Sequence, residues 1–335
     1  MNMDKILRRI QLSRKSFYAY IIGIIVVALM PLFIKAEFPR YIMCMILVWT
    51  IIGMGWNFIA GYAGQASTGH GFFYGLGAYS VAILYDKLHL TPWVGMWVGV
   101  LISLIISIGI GVPLLRLKGS YFTVATMAAA ECARIIFNNW KAVGGATGID
   151  FLNKKDNFWY SMQFPDKLYY FYIFLAFAIV VLIIVLCLDK SKFGYYLRAI
   201  KGNPTAAESI GIDTSKYKLY AYMLSAAIVS IGGSLYATYM LYIDPSMLFL
   251  LKISLMICLT TVMGGVGKVL GPFIGAICMQ LISGYTRVFA GGTGTGIDQI
   301  IYGVIMVVIV LYMPYGLLSL PEKIRNRKKV KVKES

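Results

Sequence analysis

Composition, recurrent apolar runs and the placement of lysine and arginine together point to an all-α, polytopic membrane protein of about ten transmembrane helices with both termini cytoplasmic. Hydrophobic residues make up 59% of the 335 and charged residues 13%, against about 25% charged in an average soluble domain. No soluble domain of this size buries so large an apolar share, so lipid is the expected solvent. Apolar runs recur at 18–34, 41–60, 72–86, 93–115, 120–139, 168–188, 219–243, 247–263, 269–288 and 299–319. With the N-terminus inside and strict alternation, 21 of the 31 Lys and Arg fall in inside segments and 8 in outside ones. Arg134 and Arg287 lie within spans. Such a positive-inside bias holds only for an even number of crossings.

Taken in order, Lys5, Arg8, Arg9, Arg14 and Lys15 precede the first run. No small-residue cleavage site follows and the run is long enough to cross, so it reads as a retained helix and not a leader. The runs at 72–86 and 247–263 are short against the roughly 20 residues a spanning helix needs. Both lie beside glycines, and either is expected to be broken or re-entrant. The segment 140–167 lies outside and carries Trp140, Trp159 and the turn-rich GGATGID, whereas 189–218 lies inside and is basic. The chain thus divides into a basic cytoplasmic N-terminus at 1–17, one transmembrane domain at 18–320, and a basic cytoplasmic tail at 321–335 on the membrane surface.

The net charge of +17 would in a soluble protein suggest nucleic acid. Here the basic residues alternate with apolar spans, which fits an anionic leaflet and gives no reason to expect a nucleic-acid partner. The five cysteines sit in apolar stretches without ligand spacing, which makes them packing residues. With His70 and His89 the only histidines, neither a Cys/His metal site nor a catalytic triad is expected. The nearest text to a phosphate loop, GGVGKVLG, lacks the GxxxxGK[ST] spacing and the hydroxyl. The chain is therefore not expected to be an enzyme or to hold ATP, and its energy must come from another subunit or an ion gradient.

Four segments bear on function. In 57–79 the polar groups of Gln65, Ser67, Thr68 and His70 edge a glycine-rich span; they either line a translocation path or satisfy one another in helix packing. Gly267, Gly271 and Gly275 recur every fourth residue, the spacing of one helix face. Glu131 and Arg134 are three apart, hence neighbours on a helix, and serve either a function within the membrane or a local ion pair. In 193–222, Asn203 is a good N-cap with Pro204 at the first helical position, Gly211 ends the short helix, and Asp213–Thr214–Ser215 caps the next. A surface helix so placed either transmits force from a soluble partner or lies idle at the interface.

These segments carry a resemblance. GYAGQASTGH, RLKGSYF followed by Glu131 and Arg134, GGATGI, RAIKGNPTAAESIGI with Tyr217–Lys218, and GGVGKVLGP occur in the order found in the M-type permease of branched-chain amino acid (LIV-type) ABC transporters, over about 41–318. The loop resembles the Glu-Ala-Ala-like coupling loop of ABC importer permeases. The resemblance implies an inner-membrane importer subunit working by alternating access. Its partners would be an H-type permease, two cytoplasmic ATPase subunits that bind the ATP, and an external substrate-binding protein. It assigns ATPase coupling to Arg198, Asn203, Ala206, Ala207, Glu208, Gly211 and Lys218. Gln65, Ser67, His70 and Glu131 are candidates for the translocation path. A permease for urea, amides or sugars is the nearest alternative, and an ion-coupled secondary transporter using Glu131 is a more distant one.

Overall fold

A computed structural model describes residues 14–117, 119–150, 158–289, 303–304, 307–308, 311 and 316–319. The tenth expected span, at 299–319, lies almost wholly outside the described residues, as do most of the N-terminal segment and the tail at 321–335.

The helices are α1 (Arg14–Phe33), α2 (Glu37–Asn57), α3 (Gly71–Leu88), α4 (Pro92–Leu114), α5 (Ser120–Asn139), α6 (Phe158–Ser161), α7 (Lys167–Asp189), α8 (Lys192–Gly202), α9 (Pro204–Ser209), α10 (Thr214–Met240), α11 (Pro245–Leu248), α12 (Leu251–Gly264) and α13 (Gly271–Phe289). Five stretches among the described residues are long and apolar enough to cross a membrane: Glu37–Tyr62, Pro92–Leu114, Lys167–Asp189, Thr214–Met240 and Pro245–Gly264. Strand is confined, among the described residues, to an antiparallel pair, β1 (Ile149–Asp150) and β2 (Tyr242–Ile243).

Three expectations need correction or sharpening. The run at 72–86 is not broken, since α3 is one continuous 18-residue helix. The run at 247–263 is interrupted: Leu250 adopts extended backbone between α11 and α12. Gly267 does not share a helix face with Gly271 and Gly275. It sits at φ +80° in the turn before α13, a conformation open to glycine at little cost.

The core is α2, α3 and α10. Small residues let α3 and α10 touch backbone to backbone. A Cβ on Gly77 would strike the Ser230 carbonyl, and one on Gly233 the Tyr74 carbonyl. The Ser234 hydroxyl donates to the Gly77 carbonyl at 3.0 Å. Aromatic rings close one end of this pair, with Phe249 4.9 Å from Phe137 and 5.8 Å from Tyr79. By contrast, α1, α4 and α7 leave broad apolar faces uncovered, including Ile105, Ile22 and Val180, as lipid-facing helices do.

The loops fall into two sets, one at each end of the bundle. At one end Arg40 pairs with Asp166, Lys167 with Glu37, the Thr91 hydroxyl donates to the Tyr160 carbonyl, and Ile149 pairs with Ile243. At the other end the 57–69, 189–214 and 264–271 segments meet. Successive long helices therefore run alternately between the ends, as the lysine and arginine distribution requires.

Candidate functional site

The loop between α7 and α10 is two short helices with one packed and one open face. Ser191 caps α8 by accepting from the Gly194 amide, and Asn203 caps α9 by accepting from the Ala206 amide at 3.1 Å. Pro204 follows at the first position of α9, where its missing N–H costs nothing. Gly211, at φ +86°, turns the chain, and Asp213 caps α10 through the Lys216 amide at 3.0 Å. Gly194, Leu197 and Ile200 of α8, with Ala207 and Ile212, are buried. Asn203, Pro204, Ala206, Glu208, Gly211 and the 74% exposed Ile210 face outward. The result is a small, mixed apolar and polar surface on a stiff mount.

Each residue assigned to coupling has a defined place. The Arg198 guanidinium donates to the Asp189 carboxylate at 2.6 Å and to the Asp189 carbonyl at 2.7 Å, and lies over the Tyr195 ring. It thereby pins α8 to the end of α7 through charge-assisted bonds. Glu208 accepts from the Thr214 hydroxyl at 2.5 Å, joining α9 to the first turn of α10. Ala207 is buried against the bundle, its carbonyl accepting from the Ile212 amide. Lys218 lies half-buried one turn into α10. Arg198, Asn203, Ala206, Ala207, Glu208 and Gly211 thus form one unit, with Lys218 at its edge.

Of the four path candidates the fold joins Ser67 to His70, with Gln65 two residues away and Glu131 apart. His70 is fully buried at the start of α3, its Nδ1 2.9 Å from the Ser67 hydroxyl and its Nε2 2.7 Å from the Ser225 hydroxyl on α10. The Ser67 carbonyl accepts from the Trp56 indole at 2.7 Å. These are closed packing contacts within the core. Gln65 is half-buried in the same segment, its main-chain N–H donating to the Ile59 carbonyl at 2.9 Å. Glu131 lies elsewhere, on the open face of α5, held by Arg134 at 2.5 Å. The buried face of α5 is Phe122, Thr126, Ala130 and Ala133, and neither charged residue is on it.

Three residues that sequence reasoning passed over complete this end. Asn57, buried at the end of α2, accepts from the Gly267 amide at 2.8 Å and donates to the Lys268 carbonyl at 3.1 Å. Lys201 donates from α8 to the Gly61 carbonyl at 2.8 Å. Ser225 holds His70. A lone asparagine in an apolar run was a legible signal for the first; nothing in the sequence distinguishes Lys201 from its basic neighbours or Ser225 from other small residues. Among the described residues no cluster of His, Cys, Asp or Glu is placed to hold a metal.

Known proteins agree with this picture. The family described as "Branched-chain amino acid transport system / permease component" matches residues 38–310. The high-affinity branched-chain amino acid transport system permease protein LivM of Salmonella typhimurium is 25% identical over 323 residues, covering 90% of this chain and 75% of that protein. LivM of Escherichia coli K12 is 24% identical over the same shares. A probable LivH of Methanocaldococcus jannaschii is 33% identical over 163 residues, 45% of this chain and 49% of that one. A solved structure, PsaBC from Streptococcus pneumoniae in complex with Fab, is similar at TM-score 0.42 and 14% identity over 82% of this chain and 92% of that chain, a likeness too remote to argue from. The match across most of the chain, on a bundle of apolar helices, makes it a member of the branched-chain amino acid ABC transporter permease family, of the M type.

Proposed function

We propose that the chain is the M-type half of the membrane channel of an ATP-driven importer. It moves branched-chain or related amino acids across the inner membrane by alternating access. Its companions are an H-type permease, two cytoplasmic ATPase subunits that bind all the ATP, and an external binding protein; the chain itself holds neither ATP nor a metal. In this reading the helices number ten and both termini are cytoplasmic. The basic segments 1–17 and 321–335 flank one permease domain at 18–320, and 189–218 faces the ATPases.

The observation that carries the reading is the build of the α8–α9 loop. Its outward face around 203–211 is open, while its inward face is packed and its ends are bonded to α7 and α10. A load applied at Asn203, Ala206 or Glu208 therefore reaches two long helices without being absorbed by a floppy linker. Ser67 and His70 meet the solute only in a state in which α3 and α10 part, because His70 is bonded to Ser225 and Ser67 to His70 and the Trp56 indole in this one. Gln65, at the end shared with the 189–214 loop, meets it last, and Glu131 lines the path only where a partner covers α5.

The test is Gly211→Pro in the complex reconstituted in vesicles. Proline can neither take the +86° φ nor donate the Gly211 N–H now bound to the Glu208 carbonyl. ATP hydrolysis is expected to persist while uptake falls by about tenfold or more, equivalent to about 1.4 kcal/mol of lost coupling. Full uptake in the variant, or labelling of a cysteine at 203 from the outside, removes the reading.

A further inference from the structure

The coupling loop touches a second element besides the helices it joins. After Asn57 the α2 helix continues as one π-helical turn, Phe58–Tyr62, before the chain crosses to α3 through 63–70. A π-turn carries one residue too many for an α-helix and is a local fault that can shift. Its Gly61 carbonyl lies near the end of the helix, where the macrodipole favours a cation. The Lys201 ammonium occupies that position at 2.8 Å. The lysine reaches it through a slot with no side-chain walls: a Cβ on Gly64 would come within 3.0 Å of the Lys201 Cγ, and one on Gly267 within 3.6 Å of its Nζ. Asn57, one turn back, holds the Gly267 amide. Beyond the π-turn, the Gln65 amide reaches back to the Ile59 carbonyl, and two residues later Ser67 meets His70 at the start of α3.

We propose that Lys201 is the positioning residue that carries movement of the coupling loop to the π-turn and so to the 63–70 segment at the mouth of the path. This rests on the coupling role of the loop given above. Arg198 and Glu208 tie the loop to α7 and α10, the helices that flank it in sequence; Lys201 is its bond to α2, about 140 residues away. An ammonium on a carbonyl is a charge-assisted bond, and because its acceptor is main chain, the pull acts on the backbone itself.

The test uses the full complex with its permease partner, ATPases and binding protein in vesicles, reading leucine taken up per ATP hydrolysed. Lys201→Met keeps the length and loses the bond. It is expected to hydrolyse ATP within about twofold of the original, with uptake per ATP down by about tenfold. Lys201→Arg, which restores a charged donor, is expected to recover most of that ratio. A structural role alone would lower hydrolysis and uptake together and leave their ratio unchanged. That outcome, or an unchanged ratio with both rates intact, overturns the proposal. Where Lys201→Met fails to assemble, hydrogen exchange on the unmodified complex decides. On ATP binding, peptides spanning 58–70 are expected to change protection together with those spanning 192–211, and a change confined to 192–211 overturns the link. Coupled uptake in Lys201→Met alongside uncoupled uptake in Gly211→Pro removes this inference and leaves the loop's role standing. Uptake that ignores ATP in the unmodified complex removes both.

Discussion

The two ends of the helical bundle differ in how far their ties are exposed. At the end holding 35–40, 87–93, 140–150 and 158–167, Lys167 pairs with Glu37, which is 86% exposed, Arg40 pairs with Asp166 and donates to the Ile34 carbonyl at 2.8 Å, and the Thr91 hydroxyl donates to the Tyr160 carbonyl in an exposed bond. At the end holding 57–70, 192–214 and 264–271, the ties run from side chains to backbone: Lys201 to Gly61, Asn57 to Gly267 and Lys268, and Arg198 to the Asp189 carbonyl as well as its carboxylate. An exposed ion pair is worth about 0–1 kcal/mol and can re-form after a small slide. A bond to buried main chain cannot be satisfied by a neighbouring rotamer, so it fixes position. The end proposed to receive force is therefore expected to be the stiffer of the two.

That contrast is open to graded tests, read as thermal midpoints of the purified permease pair. Asn57→Ala strikes the stiff end hardest. It strips partners from the Gly267 N–H and Lys268 C=O together, and about 2–6 kcal/mol is expected to be lost, at about 1–3 for each orphaned group. A midpoint within error of the original would show that the 265–268 turn is not held there. Arg198→Met comes next, expected to cost about 1–2 kcal/mol, since a charge-assisted bond to a largely buried carboxylate is lost but the aliphatic stem can still pack. Lys167→Met at the other end is expected to change stability by no more than about 0.5 kcal/mol, with that difference vanishing at high salt. A larger, salt-independent loss would erase the distinction between the ends. Glu131→Gln is expected to move stability least of all, since an i,i+3 pair on a helix contributes about 0.2–0.5 kcal/mol. It should leave uptake indifferent to a protonophore in ATP-loaded vesicles, and proton-dependent uptake abolished by this change would instead favour ion coupling.

Much of this was legible before any coordinates. The helical runs followed from apolar run length, because lipid imposes a long, continuous apolar signal on each helix. The caps of the coupling loop were equally readable: Asn203, Pro204, Gly211 and Asp213 act within four residues of themselves, so local chemistry settles them. The break at Leu250 and the continuity of α3 were not readable, since both short runs carry the same glycine-flanked signature.

Composition and order along the chain were enough for most helices, the caps and the family, since each depends on solvent or on near neighbours in sequence. Only the packed fold placed buried His70 between Ser67 and Ser225, set Glu131 apart from them on an open helix face, and carried Lys201 across 140 residues to the Gly61 carbonyl. Those pairings depend on which small residues let which backbones approach, and that is settled by three-dimensional packing, which no local pattern encodes.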